Sequence, residues 1–160
     1  MFNRFILLLA AGVLGAAPAV AHQYELGTLV IGHPWSRPTA PGMPMGVAYL
    51  SITNNGKTAD ALVAASSPAA ARVEFHKTTL ADGMARMRPL TEIAIAPGAT
   101  VKVEPGGIHL MLVDLKAPLE PGKSVPLVLE FRVAGKITVE LSVEARDAPL
   151  SPASSGRGSR

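Results

Sequence analysis

Apolar and polar residues alternate along most of this chain in short runs, each closed by Gly, Pro or Asn. A period of two is the signature of strands with one face buried. Tyr24 to Gly32 reads as a first strand, followed by a Pro-rich connection from His33 to Pro44. Val47 to Thr53 is a second strand, ending at the turn Asn54-Asn55-Gly56. Asp60 to Ala65 and Ala71 to Thr79 follow, and Ala81-Asp82-Gly83 turns the chain into Ala85 to Thr91. Pro97-Gly98 separates Ile93 to Ile95 from Val101 to Glu104, and Pro105-Gly106-Gly107 opens Ile108 to Leu115. The last two runs, Val125 to Val133 and Lys136 to Ala145, flank Ala134-Gly135 and predict a hairpin. No run carries helical amphipathicity and no segment repeats. The pattern predicts an all-β sandwich of about eight or nine strands.

Strand parity sorts the side chains that carry chemistry. Val73 and Phe75 fall on one face, and Arg72, Glu74, His76 and Thr78 on the other. His76 therefore points away from the apolar side. His109 and Met111 are two apart and share a face. Met87 lies just beyond the Asp82-Gly83 turn, on the strand that pairs with the one carrying His76. Three segments can thus converge on one edge of the sandwich, bringing together His76, Met87, His109 and Met111 at the spacing His-x10-Met-x21-His-x-Met. Taken singly, a Met is more often a filler of irregular core gaps, and a single strand His is usually structural. As a set, two imidazoles and two thioethers make a soft donor group, and thioether sulfur selects monovalent copper.

Composition sharpens this picture mainly through one absence. The 160 residues include no cysteine, which excludes a disulfide scaffold, a thiol oxidoreductase, a Cys-type zinc site and a blue-copper electron carrier. Thioethers avoid the disulfide exchange that thiolates undergo in oxidising compartments. Aromatic residues make up 4% of the chain and the net charge is +3 without a basic cluster, so nucleic acid is not an expected partner. One cation, Arg4, precedes an apolar run from Phe5 to about Ala17, too short to span a bilayer and suited to a secretory signal peptide. Residues 1–21 are read as that signal, cleaved after Ala21. Residues 22–147 are read as one β-sandwich domain, and the Ser/Gly/Pro-rich residues 148–160 as a disordered tail.

The four-residue spacing resembles that of the periplasmic copper chaperones called PCu(A)C. The resemblance runs from about His33 to Glu144. It includes Ala48-Tyr49-Leu50 leading to Thr53-Asn54-Asn55-Gly56, the segment Asp82-Gly83-Met84-Ala85-Arg86-Met87-Arg88-Pro89, and Pro105-Gly106-Gly107-Ile108-His109-Leu110-Met111-Leu112. It implies a cupredoxin-like Greek-key β-sandwich with a Cu(I) site at His76, Met87, His109 and Met111. It also implies a non-enzymatic carrier in the periplasm, delivering copper toward the Cu-A centre of cytochrome c oxidase. Subunit II or a Sco-type protein would be the acceptor. A monomer without stable membrane insertion is expected. The alternative is a periplasmic copper-sequestering or resistance protein built on the same ligands. Many relatives carry a His- and Met-rich extension for Cu(II), which the tail here lacks.

Other residues stand at the margin. Met84, Met43 and Met45 are candidate auxiliary thioethers. His22 would offer an amino-terminal chelate if cleavage follows Ala21, and His33, before Pro34 and Trp35, is read as structural. Arg72, Lys77, Arg86 and Arg88 are candidates for steering an acidic partner.

Overall fold

The computed structural model describes residues 23–145. The segment 1–21 read as a signal peptide, His22 and the tail read from residue 148 lie outside the described residues. Eleven strands and no helix form the described chain. They are β1 (Gln23–Leu26), β2 (Leu29–Ser36), β3 (Met45–Asn54), β4 (Asp60–Ser66), β5 (Ala70–Ala81), β6 (Met84–Leu90), β7 (Ile93–Ile95), β8 (Thr100–Val103), β9 (Ile108–Leu115), β10 (Ser124–Phe131) and β11 (Gly135–Val143). Hydrogen bonding runs through the order β6-β5-β9-β8-β3-β2-β11-β10-β4-β7, with β1 on β2 and β9 also paired to β3. The ladder wraps into a cupredoxin-like β-sandwich.

The alternation read in the sequence fills its core. Ile31 on β2, Ile52 on β3, Leu62 on β4, Leu110 and Leu112 on β9, Leu127 and Leu129 on β10, and Val139 and Leu141 on β11 are each fully buried. Phe75 joins this cluster from β5, opposite Leu110. The polar residues between them are turned outward, and burial of the apolar set drives the sandwich together.

Most strand limits agree with the sequence pattern within two or three residues, but the N-terminal region differs. The single run expected from Tyr24 to Gly32 is two strands, β1 and β2, paired as a hairpin with Leu26 opposite Leu29. Gly27 at φ 60° makes the sharp reversal, a conformation cheap only for glycine at the first central position of such a turn. The expected Pro-rich connection begins later than His33, because β2 continues through Pro34 to Ser36. Its register against β3 shifts between Gly32 and Trp35. His33, at φ 46°, is the extra residue of a bulge, where a proline without an N–H is tolerated in a strand. Strand β5 pairs with β6 around Asp82-Gly83, both at positive φ, the type I′ turn that matches strand twist. The β10–β11 loop, Arg132-Val133-Ala134, closes on Gly135 at φ 92°.

Candidate metal centre

Ladder register defines the geometry of the candidate site. On the outer face of β5 and β9, His76 stands directly opposite His109 and Glu74 directly opposite Met111. On the other side of β5, Met87 of β6 stands opposite Thr78. Directly opposed residues share a face, and diagonal neighbours on adjacent strands remain within reach of long side chains. His76 is thus the hub: His109 is its direct partner, and Met111 and Met87 are its diagonal neighbours, one on each flank. Each thioether lies about 7 Å along the strand from the histidine row, at ~3.4 Å per residue. A flexible Met side chain covers that distance.

The two imidazoles lie 5.9 Å apart between ring centroids, with their planes at 20°. They are recessed, His109 being 6% exposed and the His76 side chain 14%. Met87 is 52% exposed, so the site is closed beneath by the histidines and open on the hairpin side. Met111 is half-buried. Each ring makes one hydrogen bond. His109 Nδ1 lies 3.2 Å from the Gly107 carbonyl oxygen and, since a carbonyl only accepts, Nδ1–H donates. His76 Nε2 lies 3.0 Å from Glu74 Oε2, and a carboxylate likewise only accepts. His76 Nδ1 is buried without a partner.

Glu74 is held in turn. Arg72 Nε donates to its Oε1 at 2.7 Å, and Arg72 Nη1 donates to Asp114 Oδ2 at 3.0 Å. Hydrogen bonds from His76 and then Arg72, with the positive charge of Arg72, hold the Glu74 carboxyl below the usual glutamate range. Arg72, expected as a steering charge, is therefore paired within its own face. Sequence reasoning placed Glu74 on the His76 face but gave it no role. Its position two residues before His76, on the same side of a strand, was the available signal.

The marginal methionines divide. Met84 pairs with Ala81 and falls on the hairpin face away from Met87, so it is not positioned to assist capture. Met45 pairs with Val113, one row beyond Met111 on the same face. Met43 and Met45 line a neighbouring cleft of about 380 Å³ with Arg37 and Tyr49. Both are about half exposed. His33 is bonded to Glu144 at 3.0 Å, consistent with a structural role. Among the described residues no three His, Asp or Glu side chains are grouped to hold a metal. A site here therefore depends on sulfur, which suits a soft ion and not a hard one.

These features define a cupredoxin-like β-sandwich with a His/Met cluster at one edge of its sheet. The family model described as "Putative lipoprotein LpqE-like" matches residues 29–143, and the chain belongs to that family. It is also similar in fold and sequence to PCu(A)C domains of known structure. A copper-bound PCuAC domain from PmoF2 is 29% identical, with a TM-score of 0.68, covering 78% of this chain and 99% of that domain. The apo form of the PmoF2 domain is 30% identical at a TM-score of 0.68, covering 79% and 98%. The Cu(I) form of DR1885 from Deinococcus radiodurans is 26% identical at a TM-score of 0.59, covering 80% and 83%. A curated relative, "Putative lipoprotein Lxx21020" of Leifsonia xyli subsp. xyli, is 36% identical over 93 residues. That match covers 58% of this chain and 56% of the relative, so the chain spans little more than half of that protein.

Proposed function

We propose that the protein is a carrier of Cu(I), binding it through His76, Met87, His109 and Met111. The observation that carries this reading is the register that makes His109 the direct cross-strand partner of His76 and both methionines its diagonal neighbours. The copper-bound state of the similar PmoF2 domain and the Cu(I) state of the similar DR1885 support copper as the cargo. Two neutral imidazoles and two neutral thioethers leave the complex positively charged, which favours release over permanent storage. The open Met87 side gives an acceptor access to the ion. Transfer would pass through a state in which donor and acceptor ligands share the copper, and an acceptor with thiolates would draw it away. The chain catalyses no covalent step in this account.

Delivery to the Cu-A centre of cytochrome c oxidase, by way of subunit II or a Sco-type protein, is the proposed destination. Export to the periplasm follows from residues 1–21 acting as a signal peptide, leaving a monomeric domain at 22–147. The family description and the curated relative support an exported protein. Their lipoprotein wording belongs to them, and these 160 residues hold no cysteine on which a thioether-linked lipid could be built. Among the described residues no helix is long and apolar enough to cross a membrane.

Anaerobic Cu(I) titration of the wild type against His109→Ala and Met111→Ala tests the site. One equivalent bound by wild type, with affinity lost in both variants, is expected; three matching curves would overturn it. Mixing loaded protein with an apo Cu-A domain tests delivery, and failure to metallate that domain would leave a copper buffer.

A further inference from the structure

Both site histidines are oriented by acceptors that leave different ring nitrogens open. His109 donates from Nδ1 to the Gly107 carbonyl, so its lone pair is on Nε2. His76 donates from Nε2 to Glu74, so its lone pair is on Nδ1, the atom that is buried and unpartnered. A buried polar atom without a partner costs free energy in a folded protein and calls for an explanation such as an absent ion. A lone pair kept for a metal ion would account for it.

We infer that Glu74 is a positioning residue that fixes the His76 tautomer, so that copper is taken by Nδ1 of His76 and Nε2 of His109. This deepens the proposed function and rests on it. Ligating histidines usually donate their other N–H to a carboxylate or carbonyl, which sets ring orientation and raises basicity. Here both forms occur at one site: a carboxylate behind His76 and a backbone carbonyl behind His109. Glu74 is also the direct cross-strand partner of Met111. It therefore stands on the row of one proposed ligand while holding another. Its second oxygen is clasped by Arg72, which Asp114 braces from β9. Asp114 sits at φ 56°, a conformation that Asp tolerates better than most residues. Asp114, Arg72, Glu74 and His76 form a chain of contacts from one strand to the other. The line ends on the imidazole.

Long-range ¹H–¹⁵N spectra of full-length protein test this in the metal-free and Cu(I)-loaded states. The expected metal-free result is an Nε2–H tautomer for His76 and an Nδ1–H tautomer for His109. On loading with Cu(I), His76 Nδ1 and His109 Nε2 should be the nitrogens that shift. In Glu74→Leu the His76 tautomer preference should disappear and Cu(I) affinity fall about 10–100-fold. Glu74→Gln, which retains an acceptor, should recover part of both, and the His109 spectrum serves as the check that the fold is intact. Copper on His76 Nε2, or a Glu74→Leu protein with wild-type tautomer and affinity, would overturn the inference and leave the carrier reading standing. A loaded spectrum in which neither His76 nitrogen moves would overturn the carrier site itself.

Discussion

Two groups of polar atoms are buried near opposite ends of the strand ladder, and they are treated in opposite ways. Asp60, at the start of β4, is 9% exposed. Its Oδ1 accepts from the amides of Ala61 at 2.7 Å and Val133 at 2.9 Å, and its Oδ2 from Ala134 at 2.9 Å. Burial acts to raise its pKa, but these three amides and the charge of Arg132 outweigh burial and hold the carboxyl below the ordinary aspartate range. This carboxylate takes three backbone bonds, at least one on each oxygen, and pins the β10–β11 loop to β4. At the β5–β9 end, each recessed imidazole makes one hydrogen bond, Nδ1 of His76 is buried without a partner, and the nearby methionines are in part exposed. A polar group buried for stability has its bonds completed by the protein. One buried to bind something keeps a bond in reserve.

The contrast can be broken most strongly at Asp60. Asp60→Ala should lower unfolding free energy by about 3 kcal/mol, because the loop amides lose their acceptor. Urea denaturation measures that loss, and Cu(I) stoichiometry of the folded fraction should stay unchanged. The reverse pattern is expected for His109→Leu. Cu(I) affinity should drop by roughly 100-fold or more, the larger end of what disrupting a metal's ligand environment costs. Its unfolding free energy from urea denaturation should stay within about 1 kcal/mol of wild type, since an incompletely bonded imidazole gives way to a buried apolar group. A His109→Leu protein as destabilised as Asp60→Ala would erase the distinction.

Acid separates the two regions more finely. Asp60 and Glu74 both titrate lower when folded than as free side chains. Their contributions are therefore complete above the ordinary carboxylate range near pH 4 and are lost as pH falls through the lower folded values. Stability measured from pH 5 downward should decline, with a shallower decline in Asp60→Asn. Cu(I) affinity should also weaken with added acid, because protons compete with copper for the imidazole lone pairs while thioethers take up none. The smallest effect is expected at the hairpin. Gly83→Ala, at φ 75° with open space around the added carbon, should cost about 1 kcal/mol through backbone strain alone. A modest loss of Cu(I) affinity should follow from displacing Met87.

Much of the candidate site's layout was legible because strand parity is local. His76 two after Glu74, and His109 two before Met111, must share a face whatever the rest of the chain does. The Asp82-Gly83 signal likewise set the β5–β6 register that brings Met87 beside Thr78. Less legible were features that depend on long-range pairing or one-residue irregularities. Nothing near Asp60 in sequence announces acceptors for amides at residues 133 and 134. The bulge at His33 extends a strand through Pro34 where the prolines read as a loop. Met84 reads as a neighbour of Met87, yet an odd separation in a strand sends it to the other side. The opposite ring nitrogens of the two histidines depend on Glu74 and Gly107, and only their placement in three dimensions reveals them.

X-ray absorption of the full chain loaded anaerobically with one equivalent of Cu(I) tests the central claim most directly. The account predicts two nitrogen and two sulfur scatterers around copper, with one sulfur lost in Met111→Ala and one nitrogen in His109→Ala. A wild-type spectrum without sulfur, or one that either substitution leaves unchanged, would contradict it.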